Sequence, residues 1–190
     1  MRLLLTLAWL LGAVYATIPA FWIAVHPFVR RWRARTRNSF PALMAIWLAM
    51  IVTALLLTWS LRELRVYSTL LALIPAALFF VGAIYIYRRS GRGFGRDNLI
   101  GRTELEPQKH QQKLVTTGMH ARIRHPIYLA HLLMLTSWTI ASGLAALFAL
   151  LAFAVITGAV MIRMEDAELE ARFGNDFREY RSRVPAIIPK

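Results

Sequence analysis

The chain contains no cysteine, and this absence removes three kinds of chemistry. Without thiols there is no disulfide framework, no thiolate metal site and no cysteine nucleophile. The histidines do not compensate, because His110, His120 and His125 lack the spacing of metal ligands on one helix face. The sequence therefore predicts neither a metal site nor a small scaffold held together by disulfides.

Acidic residues are also scarce, with 10 Asp and Glu against 23 Lys and Arg and a net charge of +13. Such an excess can indicate nucleic-acid binding, but here the basic residues follow the ends of apolar runs. Hydrophobic residues make up 57% of the 190 positions, which is typical of a membrane protein. We therefore predict a single integral membrane domain, residues 1–190, that does not bind nucleic acid.

Long apolar runs are what the sequence has in abundance. Five can be marked, at residues 3–25, 42–61, 68–87, 127–140 and 144–162. A membrane-spanning helix needs about 20 apolar residues. The last two runs are separated only by Ala141-Ser142-Gly143, which predicts a tight turn between antiparallel helices. We expect an all-α bundle of about five transmembrane helices, three of them in residues 1–87 and two in 88–190.

The distribution of Lys and Arg predicts how the bundle is oriented. Residues 30–37, 88–124 and 163–190 contain 20 of them, whereas the opposite side has only Arg2, Arg62 and Arg65. In membrane proteins such an excess of Lys and Arg lies in the cytoplasmic loops. We therefore expect the N-terminus on the outer side and the C-terminus in the cytoplasm. The membrane should be the cell membrane of a bacterium or archaeon. Residues 14–16 resemble a signal-peptide cleavage site, but the run continues past them, so we expect the first helix to be retained.

The C-terminal tail, residues 165–183, has the pattern of an amphipathic cytoplasmic helix. Its apolar positions share one face: Leu169, Phe173, Phe177, Tyr180 and Val184. Gly174 is positioned to bend or break this helix.

A cationic segment precedes the fourth apolar run. It reads Arg124-His125-Pro126-Ile127-Tyr128. Proline favours the first position of a helix and steers the preceding residue out of the helical region, so a helix should begin at Pro126 with His125 as its cap. The N–H groups of Ile127 and Tyr128, with Arg124, would then bind a carboxylate. In a simpler interpretation, Arg124 and His125 only reach lipid headgroups.

Glu165 stands at the end of the fifth run. It lies four and eight residues before Leu169 and Phe173, so it shares their apolar face. A carboxylate turned inward at a membrane boundary needs a cationic partner. That partner is the ammonium of a ligand, or else Arg124 or Arg163, and Asp166 could share the role. A carboxylate site and an ammonium site together fit the amino-acid part of S-adenosylmethionine, from which methyl transfer needs mainly alignment.

Several motifs occur in a specific order. They are residues 114–118 (Leu-Val-Thr-Thr-Gly), 124–128, 165–169, 173–174, Tyr180, 184–185 and 188–189. Over about residues 95–190 this order resembles the isoprenylcysteine carboxyl methyltransferase family, within the phospholipid-methyltransferase-like membrane enzymes. The resemblance implies an S-adenosylmethionine site at the cytoplasmic boundary. The residues implied are Gln112, Lys113, Leu114, Val115, His120, His125, Pro126, Ile127, Tyr128 and Glu165.

The sequence departs from the pattern of this family at two positions of the site. His120 stands where the family usually has tyrosine, and Met161 stands where the eukaryotic enzymes have a substrate-binding arginine. Arg163 is two residues away, nearly on the opposite side of a helix. Arg124 and Arg163 remain the candidate catalytic arginines. The acceptor should be a lipophilic small molecule or membrane lipid: an isoprenylcysteine-like carboxylate, an amine headgroup or another small lipid.

Two other functions stay open at this point. One is an NADPH-dependent membrane reductase that acts on an isoprenoid or steroid. The other is a membrane protein without enzymatic activity, whose basic loops bind anionic lipid or a partner. His131, within the fourth run, is expected to make a polar contact inside the bundle.

Overall fold

The computed structural model describes residues 2–34, 39–90 and 113–188. Within these ranges the chain forms seven α-helices joined by short turns and 3-10 segments, and no β-strand. The helices are α1 Arg2–Val25, α2 Val29–Ala34, α3 Ser39–Leu57, α4 Leu73–Ser90, α5 Pro126–Ser142, α6 Ala145–Phe173 and α7 Asn175–Arg183. The predicted all-α fold is confirmed.

Four segments of the described ranges are long and apolar enough to cross a membrane. They are Arg2–Phe28, Ser39–Leu57, Leu70–Ser90 and Ala145–Phe173. α5 is shorter, with 17 residues. Large apolar side chains on the outer faces are exposed, for example Leu56 at 67% and Leu78 at 71%, as expected of surfaces that face lipid. The fold is that of a helical membrane protein.

Two tryptophan hydrogen bonds fix α3 against α1. Trp9 Nε1 donates to Thr58 Oγ1 at 2.9 Å, and Trp47 Nε1 donates to Thr17 Oγ1 at 3.1 Å. The pairs run in opposite order along the two helices, so α1 and α3 are antiparallel. Each bond satisfies an indole N–H inside the bundle, where it would otherwise be costly to bury.

α5 and α6 form the predicted antiparallel hairpin. α5 ends at Ser142, and Gly143 adopts the left-handed conformation with φ 65°. A side chain at this position would also meet the backbone carbonyl of Tyr67, so both the turn and the close approach favour glycine. The connection between α3 and α4 packs over this turn, with Val66 N donating to Gly143 O at 2.8 Å.

The remaining contacts complete an alternating bundle. α4 packs against α5, where Ser137 Oγ donates to Ala76 O at 2.8 Å. α1 runs along α6 in the same direction, since Gly12 in the middle of α1 lies against Leu147 near the start of α6, and His26 just after α1 meets Glu168 near the end of α6. Each long helix is therefore antiparallel to the next along the chain. The α5–α6 turn lies at one end of the bundle, and the starts of α3 and α5 lie at the other.

The tail differs in one respect from the sequence prediction. The helix that contains Glu165 is not a separate amphipathic element, because α6 continues unbroken to Phe173. The break falls at Gly174, as predicted, where φ is 57° and ψ is −124°. The predicted apolar face is confirmed: buried Phe177, Tyr180 and Val184 pack with Leu114, Leu169 and Phe173.

Backbone hydrogen bonds fasten the chain beyond α7 to the start of α5. Arg124 N donates to Pro185 O at 2.9 Å, and His125 N donates to Ala186 O at 3.0 Å. The predicted start of α5 at Pro126, with His125 as the cap residue, is confirmed. These bonds bring the C-terminal segment to the end of the bundle where α1 and α6 finish.

Candidate functional site

A cavity of about 440 Å³ lies at this end of the bundle. It falls within the size range of small-molecule sites, about 300–1,000 Å³. Nine of the ten residues assigned to the cofactor line it: Lys113, Leu114, Val115, His120, His125, Pro126, Ile127, Tyr128 and Glu165. The tenth, Gln112, lies outside the described residues. Two segments about forty residues apart thus meet in one cavity.

His125 joins two carboxylates of α6. Its Nδ1 lies 3.2 Å from Glu165 Oε2, and its Nε2 lies 3.0 Å from Asp166 Oδ1. Burial disfavours the charged ring, but Glu165 and Asp166 outweigh burial and raise the pKa of His125 to about 9. At neutral pH the ring is therefore an imidazolium that donates from both nitrogens. The sequence had suggested Arg124, Arg163 or a ligand as the partner of Glu165, and it missed His125.

Arg124 is used to hold the site together. Its Nη2 lies 2.7 Å from Asp166 Oδ2, and its Nη1 donates to the carbonyls of Val184 and Arg181. These partners occupy the guanidinium, although the side chain also borders the cavity. Asp166, expected to share the role of Glu165, instead binds Arg124 and His125. Arg124 and Asp166 therefore connect α5, α6 and the C-terminal segment.

Arg163 is not brought to the site. It is exposed on α6, and it is absent from the cavity wall. Met161 lines the cavity instead and is only 4% exposed. Of the two predicted catalytic arginines, one therefore holds the fold of the site and the other faces away from it.

Glu165 keeps part of its carboxylate available to a ligand. Its Oε2 meets His125, whereas no side chain of the described residues pairs with its Oε1. The side chain is 29% exposed, and it lines the cavity. The first turn of α5 forms another part of the wall, and N–H groups this close to a helix start have no acceptor within the helix. The cavity thus combines an acceptor for a cation with donors for an anion.

His120 lies near this polar end. It is buried, and its carbonyl accepts a hydrogen bond from the Tyr180 hydroxyl at 2.6 Å. Burial and the positive charge of His125 lower the pKa of His120, while Glu165 opposes the shift. His120 is therefore neutral near pH 7. Burial likewise raises the pKa of Tyr180 to about 12, so its hydroxyl remains a donor.

Sequence reasoning missed a second polar pair, of which His26 lines the cavity. His26, at the end of α1, places Nδ1 3.0 Å from Glu168 Oε2. Glu168 also pairs with Arg172, the i,i+4 partner that helical spacing predicts. The His26 ring stacks on Trp22 with centroids 5.4 Å apart. In the sequence, a histidine directly after the first apolar run was the feature that could have predicted this pair.

A second region of the cavity wall, called here the aromatic end, is lined by rings. α1 contributes Phe21 and Trp22, and α3 contributes Phe40 and Trp47. The Phe21 ring lies 5.5 Å from Trp22 and 5.7 Å from Trp47, centroid to centroid. These rings make a continuous apolar surface. One cavity therefore has a charged end and an aromatic end, an arrangement that suits a polar ligand beside a lipophilic one.

A metal cluster is not found in the described part of the chain, which holds no group of three or more His, Asp or Glu placed to bind an ion.

His131 makes the polar contact expected of it, with Nδ1 2.9 Å from the carbonyl oxygen of Ile127.

The chain is similar to a protein named for metal resistance. It is 36% identical over 121 residues to the nickel-cobalt-cadmium resistance protein NccN of Alcaligenes xylosoxydans xylosoxydans. The aligned region covers 62% of this chain and 52% of that protein, so the chain spans about half the length of this relative. No family model matches the chain, and no solved structure matches it.

Proposed function

We propose that this protein is an integral membrane methyltransferase that uses S-adenosylmethionine to methylate a lipophilic acceptor. One observation carries the proposal. The residues that motif order assigned to the cofactor, from Lys113 to Val115, from His125 to Tyr128 and at Glu165, line one cavity. Neither helical periodicity nor composition required these segments to meet.

The donors and acceptors of the charged end fit the amino-acid part of this cofactor. Glu165 would hold the ammonium through its available oxygen, in a charge-assisted hydrogen bond. The N–H groups of Ile127 and Tyr128 would hold the carboxylate. The cofactor, when bound, supplies a methyl group made electrophilic by its sulfonium. The protein binds and aligns the two reactants, and its apolar walls exclude water.

The aromatic end supports a lipophilic acceptor. Phe21 and Trp22 lie near the end of α1, and Phe40 lies near the start of α3, both of which have apolar outer faces. An acceptor dissolved in the bilayer can reach this part of the cavity without crossing water. The acceptor classes from the sequence are therefore retained, whereas Met161 in the wall gives a prenylcysteine-like carboxylate no guanidinium partner.

We further infer that α5 crosses the membrane as a fifth span and that α7 lies in the cytoplasm. The alternating directions of the five long helices support this inference. The basic residues support it as well, because Arg88, Arg89, Arg122 and Arg124 all lie at the cavity end of α4 and α5. The active site would then be at the cytoplasmic face.

A role in resistance to divalent metals is a second candidate, carried by the likeness to NccN. The two candidates are compatible if methylation of a membrane component produces the resistance. A deletion strain can be grown in graded nickel, cobalt and cadmium and complemented with the wild type or with Glu165→Gln. Full complementation by Glu165→Gln would show that any resistance is independent of the proposed cofactor site.

Titration calorimetry on detergent-purified protein tests the main proposal. We expect binding of S-adenosylhomocysteine and no binding of NADPH. NADPH binding alone would favour the reductase, and binding of neither would favour a protein without enzymatic activity. Transfer of radiolabelled methyl groups from S-adenosylmethionine to a lipid extract of the host would then identify the acceptor fraction.

A further inference from the structure

His131 lines the cavity, and a hydrogen bond determines which of its ring nitrogens carries the hydrogen. It lies on α5 one turn deeper than Ile127, whose carbonyl oxygen is 2.9 Å from Nδ1. A carbonyl can only accept, so Nδ1 carries the hydrogen and Nε2 of the neutral ring carries the lone pair. The described residues provide no hydrogen-bond partner for Nε2.

Two tyrosines hold the imidazole from neighbouring helices. The Tyr15 ring of α1 is 5.2 Å from it, and the Tyr87 ring of α4 is 5.4 Å from it, centroid to centroid. Tyr15, Ile18 and Trp22 share one face of α1 by their spacing, and the last two line the cavity. His131 therefore lies beside the helix face that supplies part of the aromatic end.

A structural role does not account for Nε2. The bond from Nδ1 stays within α5, at the i,i+4 spacing, and connects no second helix. A residue needed only for packing at this depth would be better apolar, because a buried polar group costs free energy unless it is used. A lone pair without a partner among the described residues, on a side chain that lines the cavity, can accept a proton from a bound molecule.

We propose that His131 is the catalytic base that accepts the proton of a hydroxyl group on the lipophilic acceptor. This inference rests on the proposed methyltransferase function. The acceptor oxygen bonds to the methyl carbon while the carbon–sulfur bond breaks, and that electron pair stays on sulfur. The hydroxyl proton moves to Nε2, and the imidazolium later releases it to water. A carboxylate acceptor would need no base, so a base at His131 favours an acceptor that must lose a proton. Among such acceptors, the aromatic wall favours a hydroxyl carried on a ring over a cationic ammonium group.

The test uses a defined acceptor, 4-dodecylcatechol in detergent micelles, with methyl-tritiated S-adenosylmethionine. Dodecylamine and N-acetyl-S-farnesylcysteine serve as the amine and carboxylate comparisons. We expect the wild type to methylate the catechol. His131→Gln should lower kcat by about 10²–10⁴-fold, the usual contribution of a general base. Its KM and its affinity for S-adenosylhomocysteine should stay within a few-fold of wild type, and imidazole should partly restore His131→Ala.

Ser137→Ala is the matched control. It removes a hydrogen bond between α5 and α4 but lies outside the cavity wall, so kcat should be unchanged. A wild-type kcat in His131→Gln would overturn the inference. So would methyl transfer confined to the amine or carboxylate probe, or no transfer to any probe by protein that binds S-adenosylhomocysteine. Protein that does not bind S-adenosylhomocysteine would overturn the methyltransferase function itself, and binding is measured without any acceptor.

Discussion

The His125 side chain contacts two adjacent carboxylates that have different partners. Asp166 is occupied by Arg124 and by His125 Nε2, so it holds α5 and the C-terminal segment in place. Glu165 pairs only with His125 Nδ1 among the described residues, so its other oxygen has no side-chain partner there. Two neighbouring residues of one helix thus have different roles, because they differ in burial and in their partners.

The first prediction concerns Glu165. Glu165→Gln should weaken binding of S-adenosylhomocysteine, because the neutral amide cannot form a hydrogen-bonded ion pair with the ammonium. Such a bond is worth about 1.5–3 kcal/mol, which corresponds to about a ten- to a hundredfold loss of affinity. Calorimetry on detergent-purified protein measures it. Glu179→Gln, which alters an exposed pair with Arg183 on α7, is the control and should bind as wild type. Unchanged affinity in Glu165→Gln would make Glu165 structural.

The second prediction concerns the pH dependence of stability. The folded-state pKa of His125, about 9, lies above the unfolded value of about 6.5. The protonated ring therefore stabilises the fold fully below about pH 6.5, and this contribution is lost as the pH rises through 9. We expect the Tm of the wild type to fall between pH 6 and 9.5. His125→Gln should have a lower Tm at pH 6 and a flatter profile. An equal slope in both proteins would refute the shift.

Helical phase predicted some of these positions and not others. Glu165 and Met161 are four residues apart, and both line the cavity, while Arg163 between them does not. These three positions lie on one helix, so their spacing in the sequence predicts which of them share a face. The pairing of His125 with Glu165 depends on the rotation of α5 against α6, which no local pattern encodes. For the same reason, the sequence did not reveal the contact between His26 and Glu168.

At the scale of elements, α5 and α6 approach closely where a tyrosine meets a glycine. The Tyr128 hydroxyl donates to Ala154 O at 2.5 Å, and its ring lies over Gly158. Tyr128 also lines the cavity, so this contact fixes one wall of the site. The start of α5, the turn at Gly143 and the break at Gly174 were predictable, because proline and glycine act locally. The continuity of α6 past the apolar run was not, because charged residues can continue a helix as well as end it.

The third prediction uses this contact. A methyl group at position 158 would overlap the Tyr128 hydroxyl and ring, so Gly158→Ala should displace the cavity wall. Overpacking of this kind costs about 1–3 kcal/mol. We expect a lower Tm and weaker binding of S-adenosylhomocysteine. Gly82→Ala is the matched control in α4, where the new methyl would meet only Leu133 at 3.7 Å. It should leave both quantities unchanged or raise the Tm. If the two variants have the same Tm and the same affinity, then α6 shifts at Gly158 to make room for the methyl group, and the prediction is wrong.

At the scale of the whole molecule, the alternation of helix direction determines which polar groups share a face. The ends of α1 and α6 and the starts of α3 and α5 meet around the cavity, and α4 ends on the same side of the bundle. The α5–α6 turn and the α3–α4 connection lie at the far end. The basic residues follow the same division, with Arg62 and Arg65 at the far end. Five crossings would therefore put the cavity and α7 in the cytoplasm.

The fourth prediction tests the number of crossings and their direction. A fluorescent protein that matures only in the cytoplasm should fluoresce when fused after Lys190, and alkaline phosphatase at the same site should be inactive. Fusions after Arg65, in the α3–α4 connection, should give the opposite pair of signals. If the phosphatase is active at both sites, α5 does not cross the membrane and the count is four. If the signals are reversed at both sites, the orientation inferred from Lys and Arg is wrong, and the cavity opens away from the cytoplasm.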